Sequence, residues 1–467
     1  MAKKLALFLD GTWNDLRMKN RTNVSRLAQA VLPESATGVR QVVFYDEGVG
    51  VSAGVGKIAD FATKTLGGAL GKGLDRKVEA AYRFLVLNYE PGDDIYIFGF
   101  SRGAFTARST CGLIRKIGIL KRECFDVCPQ AFELYADSTQ SRRSPATVQF
   151  RARYGHDVVS GEEDYAQYLD PAALQALAAA KAPPASPVAT STLEELFQHR
   201  DTAQTRKLQI TARSAGPNGA DRTLHTYRLM YVGLWDTVAS MGLPERLGLF
   251  ADAANSKYRF HDTEASSLIS SLRHAVSIDE NRKVFSSTPV SNIDVLNQEW
   301  ATARGFSVGD VAQNLEPDQP LTPGPAYVPY RFRPYQQRWF PGDHGAVGGG
   351  NPVLGLSSHT LRWIAEGAAW AGLEFNWTGG QLEDARTSVN PLVDWPERRK
   401  KNLLGNLGGY SNRSGPKHIR ELGDTAYERY CRAPEEIPAN ARLMAGQPGP
   451  RPRLPPPPTY PANLPMA

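Results

Sequence analysis

A short stretch from residue 93 to residue 108 constrains the fold more than any other part of the chain. Residues 95–98 form a run of β-branched and aromatic side chains, which predicts a buried strand. The run leads directly into Gly99-Phe100-Ser101-Arg102-Gly103, and an alanine-containing sequence typical of a helix follows. A turn this tight leaves no room for a side chain two residues before or after Ser101, and glycine stands at both positions. The pattern therefore predicts a strand, a sharp turn with Ser101 at its apex, and a helix.

This order of elements presents the nucleophilic serine in α/β-hydrolases. Gly-x-Ser-x-Gly alone is also common in ordinary turns, so the flanking strand and helix are what favour the catalytic interpretation. A serine hydroxyl is a poor nucleophile near neutral pH, and it needs a base that is itself oriented by a carboxylate. In this fold the three residues come in the order Ser, Asp, His, each after a core strand. We therefore expect an α/β fold with a mostly parallel central sheet, helices on both faces and a large lid or cap insertion.

Asp236 and His344 fit the two remaining positions in that order. Asp236 directly follows a strongly apolar strand predicted for residues 226–234, although a turn or capping role is the alternative for an aspartate there. His344 lies in a glycine-rich loop, after a short extended segment and before a helix. The sequence also offers an alternative base and two alternative acids: His274, Asp279 and Asp343.

An oxyanion hole is expected from backbone N–H groups close to Ser101. One belongs to Arg102, the residue after the serine. A second is expected from Gly11 or Thr12, at the end of the first strand, because glycine lets the backbone approach closely. The same loop resembles part of the Asp-x-Asp-Gly-Thr motif of haloacid-dehalogenase phosphatases, but Phe8 stands where that motif has its nucleophilic aspartate. We therefore reject the phosphatase interpretation.

Composition and charge are those of a soluble globular protein, with 41% hydrophobic residues and a formal net charge of +6. No run of about 18 apolar residues occurs, so we expect no transmembrane segment. The apolar N-terminal run ends in Asp10-Gly11 rather than at a small-residue cleavage site, so we also expect no signal peptide. The mild positive charge would favour an anionic surface such as phospholipid headgroups, but solubility explains it equally well. No basic and aromatic pattern indicates nucleic acid binding.

The four cysteines are too few for a disulfide scaffold. Cys124 and Cys128 have a spacing that half of a metal site would show, but no second pair accompanies them. Free thiols are the favoured interpretation, and we expect neither a metal nor a cofactor.

The chain is expected to contain one catalytic domain, residues 1–431, and a proline-rich tail, residues 432–467, that is disordered or extended. Residues 121–222 interrupt the core pattern with charged, alanine-rich and proline-rich segments, and we expect them to form the lid or cap insertion. Residues 48–73 are rich in glycine. The sequence is compatible with two interpretations of that segment: a surface loop, or a mobile flap near the site.

Four ordered motifs resemble one known family, the catalytic domain of type VI secretion phospholipase effectors. The resemblance covers about residues 4–372. Its motifs are Phe8-Leu9-Asp10-Gly11-Thr12-Trp13-Asn14, Gly99-Phe100-Ser101-Arg102-Gly103-Ala104-Phe105-Thr106-Ala107-Arg108, Gly233-Leu234-Trp235-Asp236-Thr237-Val238 and Trp339-Phe340-Pro341-Gly342-Asp343-His344.

The resemblance implies an α/β-hydrolase core in which Ser101, Asp236 and His344 form the catalytic triad. It implies a phospholipase, which we interpret as a phospholipase A, acting on bacterial membrane glycerophospholipids. It further implies an antibacterial effector that leaves the cytoplasm of the producing cell without a signal peptide and acts in the periplasm or membrane of a recipient cell. The expected partners are a cognate immunity protein and the spike and tube components of the secretion system. A soluble carboxylesterase or thioesterase, and a non-catalytic binding protein of the same fold, are the alternatives.

Overall fold

The computed structural model describes residues 2–11, 20–47, 69–159, 210–213, 221–238, 264–302, 333–351, 354–378, 380–382, 409–411, 413–416 and 421–426. Several features predicted from the sequence lie outside these residues. They are Thr12, most of the glycine-rich segment 48–73, the middle of the insertion at 160–209, and the tail at 432–467.

Nine strands occur in this part of the chain. They are β1 (Lys4–Leu9), β2 (Gln41–Asp46), β3 (Asp94–Phe100), β4 (Val158–Val159), β5 (Ile210–Arg213), β6 (Asp221–Thr226), β7 (Arg228–Trp235), β8 (Leu272–Ser277) and β9 (Tyr335–Phe340). Six of them form a parallel sheet in the order β2-β1-β3-β7-β8-β9. The other three form a small separate sheet in the order β4-β6-β5.

The order of the large sheet determines where a ligand site is expected. The chain winds outward from β1 to β2 in one direction and from β3 to β9 in the other, so the winding reverses between β1 and β3. In open parallel sheets, ligands bind outside the carboxyl ends of the strands at such a reversal. The loop after β1 and the turn after β3, which carries Ser101, both lie at this point.

Eight α-helices accompany the strands within the described residues. They are α1 (Asn23–Ala30), α2 (Ala69–Asn88), α3 (Arg102–Ile117), α4 (Cys128–Ala136), α5 (Pro145–Tyr154), α6 (Ile293–Thr302), α7 (His344–Gly348) and α8 (Gly355–Trp370). None of the helices in these residues is long and apolar enough to cross a membrane.

Helices cover both faces of the large sheet. Strand β1 is buried along its whole length: Leu5, Leu7 and Leu9 pack into one apolar cluster, and Ala6 and Phe8 pack into the other. The first cluster includes residues of α2, α3 and α4, and the second includes residues of α1 and α8. Parallel sheets are typically buried on both faces in this way, which explains the continuous apolar runs of the strands. The predicted α/β fold with helices on both faces is confirmed.

The beginning of the predicted insertion belongs to one of these faces. Helix α4 packs against α2 and α3, and its Cys128 and Ala131 are fully buried in the first apolar cluster. Because α4 belongs to the core, a lid or cap role concerns only the later part of the insertion. That role stays a prediction, because residues 160–209 lie outside the described residues.

Cys111, Cys124 and Cys128 are free thiols.

Candidate active site

Ser101 lies between β3 and α3 in a strained backbone conformation. Its φ is 59°, in a region that residues other than glycine rarely adopt. Two backbone bonds to the neighbouring chain hold the turn: the Ser101 N–H donates to the Trp235 carbonyl at 3.0 Å, and the Ser101 carbonyl accepts from the Val238 N–H at 3.3 Å. The turn is thus tied to the end of β7 on both sides of the serine.

The two glycines of the motif have the steric role that the sequence predicts. A Cβ atom on Gly99 would lie 2.4 Å from the Gly103 carbonyl oxygen. A Cβ atom on Gly103 would lie only 2.0 Å from the carbonyl oxygen of Leu9, the last residue of β1. Helix α3 therefore starts in backbone contact with β1, and this contact brings Ser101 to the reversal point of the sheet.

The structure brings the three residues predicted for the triad together. His344 is the first residue of α7, just beyond β9, and its Nε2 atom lies 2.8 Å from Ser101 Oγ. The other ring nitrogen, Nδ1, lies 2.5 Å from Oδ2 of Asp236, which directly follows β7. Because an ionised carboxylate only accepts, Nδ1–H donates to Asp236, and Nε2 is left to accept the serine proton.

Two phenylalanine rings fix the orientation of the histidine. The ring centre of His344 lies 4.6 Å from that of Phe100 and 4.7 Å from that of Phe285. Phe100 is part of the serine turn. Phe285 comes from a loop after β8, and nothing in its local sequence distinguishes it from an ordinary core residue.

Asp236 is fully buried, and four hydrogen bonds occupy its carboxylate. Besides His344, the donors are the backbone N–H of Ser277, at 2.9 Å from Oδ1, and both terminal nitrogens of Arg413, at 2.5 Å from Oδ1 and 2.9 Å from Oδ2. Burial alone would raise the pKa of the Asp236 carboxyl, but the Arg413 charge and the His344 bond hold that pKa well below its usual range. Asp236 is therefore a carboxylate throughout the pH range in which most proteins are folded.

A second buried carboxylate, Glu280, holds the backbone of the histidine. Its Oε2 accepts the His344 N–H at 3.2 Å, and Arg282 donates to both of its oxygens, at 2.8 Å and 2.5 Å. Burial would raise the pKa of Glu280, but the bonds to Arg282 lower it below the ordinary value. No local sequence pattern distinguishes Glu280 or Arg282 from ordinary surface residues.

The alternative base lies elsewhere and makes other bonds. The Nε2 atom of His274 accepts the Thr237 N–H at 3.2 Å, and Nδ1 lies 2.9 Å from the side-chain oxygen of Gln337. Burial lowers the pKa of His274 to about 4, with a smaller contribution from the Arg108 charge. His274 is thus a neutral core histidine at the pH values where Ser101 would need a base.

The two alternative acids hold backbone groups near the histidine. Asp279 accepts the Gly342 N–H at 2.8 Å. Asp343 is the N-cap of α7 and accepts the Ala346 N–H at 2.9 Å. Both carboxylates shape the loop that carries His344, but the side-chain partner of His344 is Asp236.

The residues predicted for the oxyanion hole have different surroundings. Arg102 is the first residue of α3, so its N–H points out of the positive end of that helix. The Gly11 N–H donates to Oδ1 of Asp10 at 2.7 Å. Thr22 and Tyr45 donate to Oδ2 of the same carboxylate, at 2.5 Å and 2.9 Å, and so anchor this loop. The oxyanion roles of Arg102 and Gly11 stay predictions, and Thr12 lies outside the described residues.

One protein-family model matches most of the chain. The family model described as "T6SS, Phospholipase effector Tle1-like, catalytic domain" covers residues 3–367. The chain belongs to this family. Ser101, Asp236 and His344 all lie inside the matched range, whereas Arg413 lies beyond its end. The family assignment made from the sequence motifs is therefore confirmed.

Sequence identity to individual proteins is low. The uncharacterized protein YEL023C of Saccharomyces cerevisiae is 23% identical over 516 residues, which cover 90% of this chain and 63% of the yeast protein. The chain thus spans less than two thirds of that relative. A crystal structure of an uncharacterized protein from Pseudomonas aeruginosa matches with 16% identity and a TM-score of 0.33, over 84% of this chain and 50% of that chain. The Tle1 effector bound to the VgrG spike matches with 14% identity and a TM-score of 0.26, over 76% and 53%.

Proposed function

We propose that this chain is a serine-dependent phospholipase A that hydrolyses an acyl ester of membrane glycerophospholipids. The observation that carries the proposal is the hydrogen-bonded row Ser101–His344–Asp236, located in the catalytic domain of a phospholipase effector family. Acyl transfer requires a nucleophile, a base in contact with it and a carboxylate that orients the base, and these three groups supply that set.

In the proposed first step, Ser101 Oγ attacks the ester carbonyl carbon while its proton moves to Nε2 of His344. The imidazolium that forms stays bound to the Asp236 carboxylate, which stabilises its charge. The C–O bond to the glycerol oxygen then breaks, and that oxygen takes the proton from Nε2. This leaves the acyl group on Ser101 and releases the lysophospholipid.

In the second step, water replaces the glycerol oxygen. His344 takes a proton from the water as its oxygen attacks the acyl carbon, and it returns that proton to Ser101 Oγ when the fatty acid leaves. In both steps the negative charge on the former carbonyl oxygen needs N–H donors. We assign the first donor to the Arg102 backbone and the second to the Thr12 backbone, because the Gly11 N–H already donates to the Asp10 carboxylate.

Lipid mass spectrometry on the purified protein tests the proposal. Incubation with vesicles of phosphatidylethanolamine and phosphatidylglycerol is expected to yield free fatty acid and lysophospholipid from the native protein. Ser101→Ala is expected to lower that rate by roughly 10⁶-fold, because removing the nucleophile abolishes catalysis by the triad as a unit. Ser357→Ala is the matched control, since it removes a buried hydroxyl whose bond is to the Leu354 carbonyl of its own helix start.

The result also distinguishes the alternatives. Hydrolysis of short-chain nitrophenyl esters or thioesters without any lysophospholipid would replace the phospholipase with a soluble esterase or thioesterase. Failure of a fluorophosphonate probe to label Ser101 in the native protein would favour a non-catalytic binding protein. Product release by Ser101→Ala at the native rate would contradict the serine mechanism itself.

We further propose delivery by a type VI secretion system into the periplasm of a recipient bacterium, with a cognate immunity protein and the spike and tube components as partners. The family description supports this part of the proposal. Directing the native chain and Ser101→Ala to the periplasm of a test bacterium separates toxicity from expression. Growth is expected to stop only with the native chain, and equal growth of the two strains would contradict an antibacterial role.

A further inference from the structure

One contact of the site comes from outside the range that matches the family. Both terminal nitrogens of the Arg413 guanidinium bind the Asp236 carboxylate, one to each oxygen. The same nitrogens donate to two backbone carbonyls, Ser277 at 2.9 Å and Phe285 at 2.5 Å. Arg413 thus joins the carboxylate to the end of β8 and to the loop whose Phe285 ring contacts His344.

Backbone bonds on both sides fix the segment that carries Arg413. Before it, the Lys283 N–H donates to the Gly409 carbonyl at 3.1 Å, and the Ser411 N–H donates to the Asn281 carbonyl at 2.7 Å. After it, the Gly423 N–H donates to the Trp339 carbonyl at 2.7 Å, which places this part of the chain beside β9. Arg413 is therefore buried and held from two directions.

The energetic reason for the contact lies in the burial of Asp236. A carboxylate away from water is costly unless its oxygens are hydrogen-bonded and its charge is compensated. His344 and the Ser277 N–H supply two of the four bonds, and Arg413 supplies the other two together with the compensating charge. A planar guanidinium also fixes the rotation of a carboxylate, because both of its nitrogens must meet both oxygens.

We propose that Arg413 is a positioning residue of this site, which holds the Asp236 carboxylate at the angle at which it binds and orients His344. The segment that carries Arg413 then completes a site whose three reacting residues all lie within the family match at residues 3–367. This inference rests on the proposed serine hydrolase function.

The contact has a consequence for the pH dependence of the reaction. The charged groups around His344 are Asp236 at its ring, Glu280 at its N–H, Asp343 before it in the chain, and the cations Arg413 and Arg282 behind the two carboxylates. The Arg413 charge opposes the imidazolium that forms when His344 takes up a proton. Its removal is therefore expected to move the acid limb of the activity profile to higher pH.

The test uses the full chain with Arg413→Met, which removes the charge, and Arg413→Lys, which keeps the charge but loses the paired geometry. We would measure kcat and KM on phospholipid vesicles and the rate of Ser101 labelling by a fluorophosphonate probe, both from pH 5 to pH 9. Arg413→Met is expected to lower kcat roughly 10²-fold with little change in KM, because a displaced catalytic group costs about that much. It is also expected to shift the acid midpoint to higher pH. Arg413→Lys is expected to restore the midpoint but only part of the rate.

Arg273→Met is the matched control. Arg273 is also a buried arginine, and it stacks on Trp363 and Trp370 at 5.2 Å and 4.5 Å rather than on the site. It is expected to lower the melting temperature without moving the pH midpoint. If Arg413→Met is not folded, Arg413→Lys decides alone through a reduced kcat at unchanged KM.

Two outcomes would overturn the inference: native kcat and native midpoint in folded Arg413→Met, or an equal midpoint shift in Arg273→Met. A native protein that is labelled at Ser101 but releases no fatty acid would contradict the phospholipase proposal alone, because the labelling rates still test Arg413. A native protein that is neither labelled nor active would contradict the serine hydrolase function itself.

Discussion

The serine side of the candidate site depends on two glycines within two residues of Ser101, whereas the acid side depends on polar side chains and backbone groups from distant parts of the chain. Ser101 owes its position to Gly99 and Gly103, which allow β3, α3 and β1 to meet in backbone contact. Asp236 owes its position to bonds from Ser277, His344 and Arg413, which lie 41, 108 and 177 residues away. The first arrangement depends on the absence of side-chain atoms, and the second depends on the presence of polar atoms.

This difference indicates which substitutions damage each side. Adding a methyl group should break the serine side, because no space exists for it. Removing a charge or changing one acceptor should break the acid side, because a buried carboxylate needs all of its partners.

The largest effect in this comparison is expected from Asp236→Asn. The amide cannot accept from His344 Nδ1–H with the strength of a carboxylate, and its own N–H₂ group favours the wrong histidine tautomer. It also leaves Arg413 facing a neutral partner. We expect kcat for fatty-acid release to fall about 10⁴-fold, measured on phospholipid vesicles.

Asp279→Asn provides the control for this prediction. Asp279 accepts the backbone N–H of Gly342, and an amide oxygen can accept that bond equally well. We expect its kcat to stay within a few-fold of the native value. A larger loss in Asp279→Asn than in Asp236→Asn would make Asp279 the acid and contradict the assignment.

The same difference explains how much the sequence could predict. The strands β1, β3 and β7 contain apolar runs, and the serine turn is a contiguous motif, so local patterns were enough to predict them. Asp236 was predicted because it follows the apolar run of β7. His344 was predicted because it lies in a glycine-rich loop after the short extended segment that forms β9. In helix α2, Val78, Ala81, Tyr82 and Leu85 recur at the spacing of one helix face, and all four are buried.

The parts that local patterns missed are those held by distant partners. Strand β8 contains Arg273 and His274, so its sequence pattern does not predict a buried strand. In the structure, Arg273 stacks on Trp363 and Trp370, and His274 is hydrogen-bonded to Gln337. Arg413 has no local signal, because a single arginine in a polar segment is usually a surface residue. Only the packing of the segment beside residues 281–283 reveals its role.

The second largest effect tests the serine side with Gly103→Ala. The added methyl carbon would lie 2.0 Å from the Leu9 carbonyl oxygen, so β1 and α3 must separate. We expect a loss of about 3 kcal/mol in the free energy of unfolding, at the upper end of the usual cost of overpacking, measured by urea denaturation.

Gly92→Ala separates space from backbone strain. Gly92 has a φ of +101°, but no atom lies within 4 Å of the position of an added Cβ. Its substitution is therefore expected to cost about 1 kcal/mol through strain alone. If Gly103→Ala cost no more than Gly92→Ala, the contact between α3 and β1 would not be what fixes Ser101.

The third effect, smaller than those of Asp236→Asn and Gly103→Ala, concerns His274, which lies one strand further along the sheet from Asp236. In the unfolded chain an ordinary histidine takes up a proton near pH 6.5, whereas burial keeps folded His274 neutral down to about pH 4. Proton uptake therefore favours the unfolded state between these values, and stability falls as the pH falls. The contribution is about 2 kcal/mol between pH 6 and pH 4.5. Between pH 6 and pH 4.5, the free energy of unfolding of His274→Gln is expected to fall by about 2 kcal/mol less than that of the native protein. Urea denaturation at both pH values measures the two differences.

The same pH dependence in the native protein and the variant would mean that His274 is charged in the folded state. A cation would then lie beside Asp236 in addition to Arg413, and the balance of charge that we assign to the acid side would be wrong.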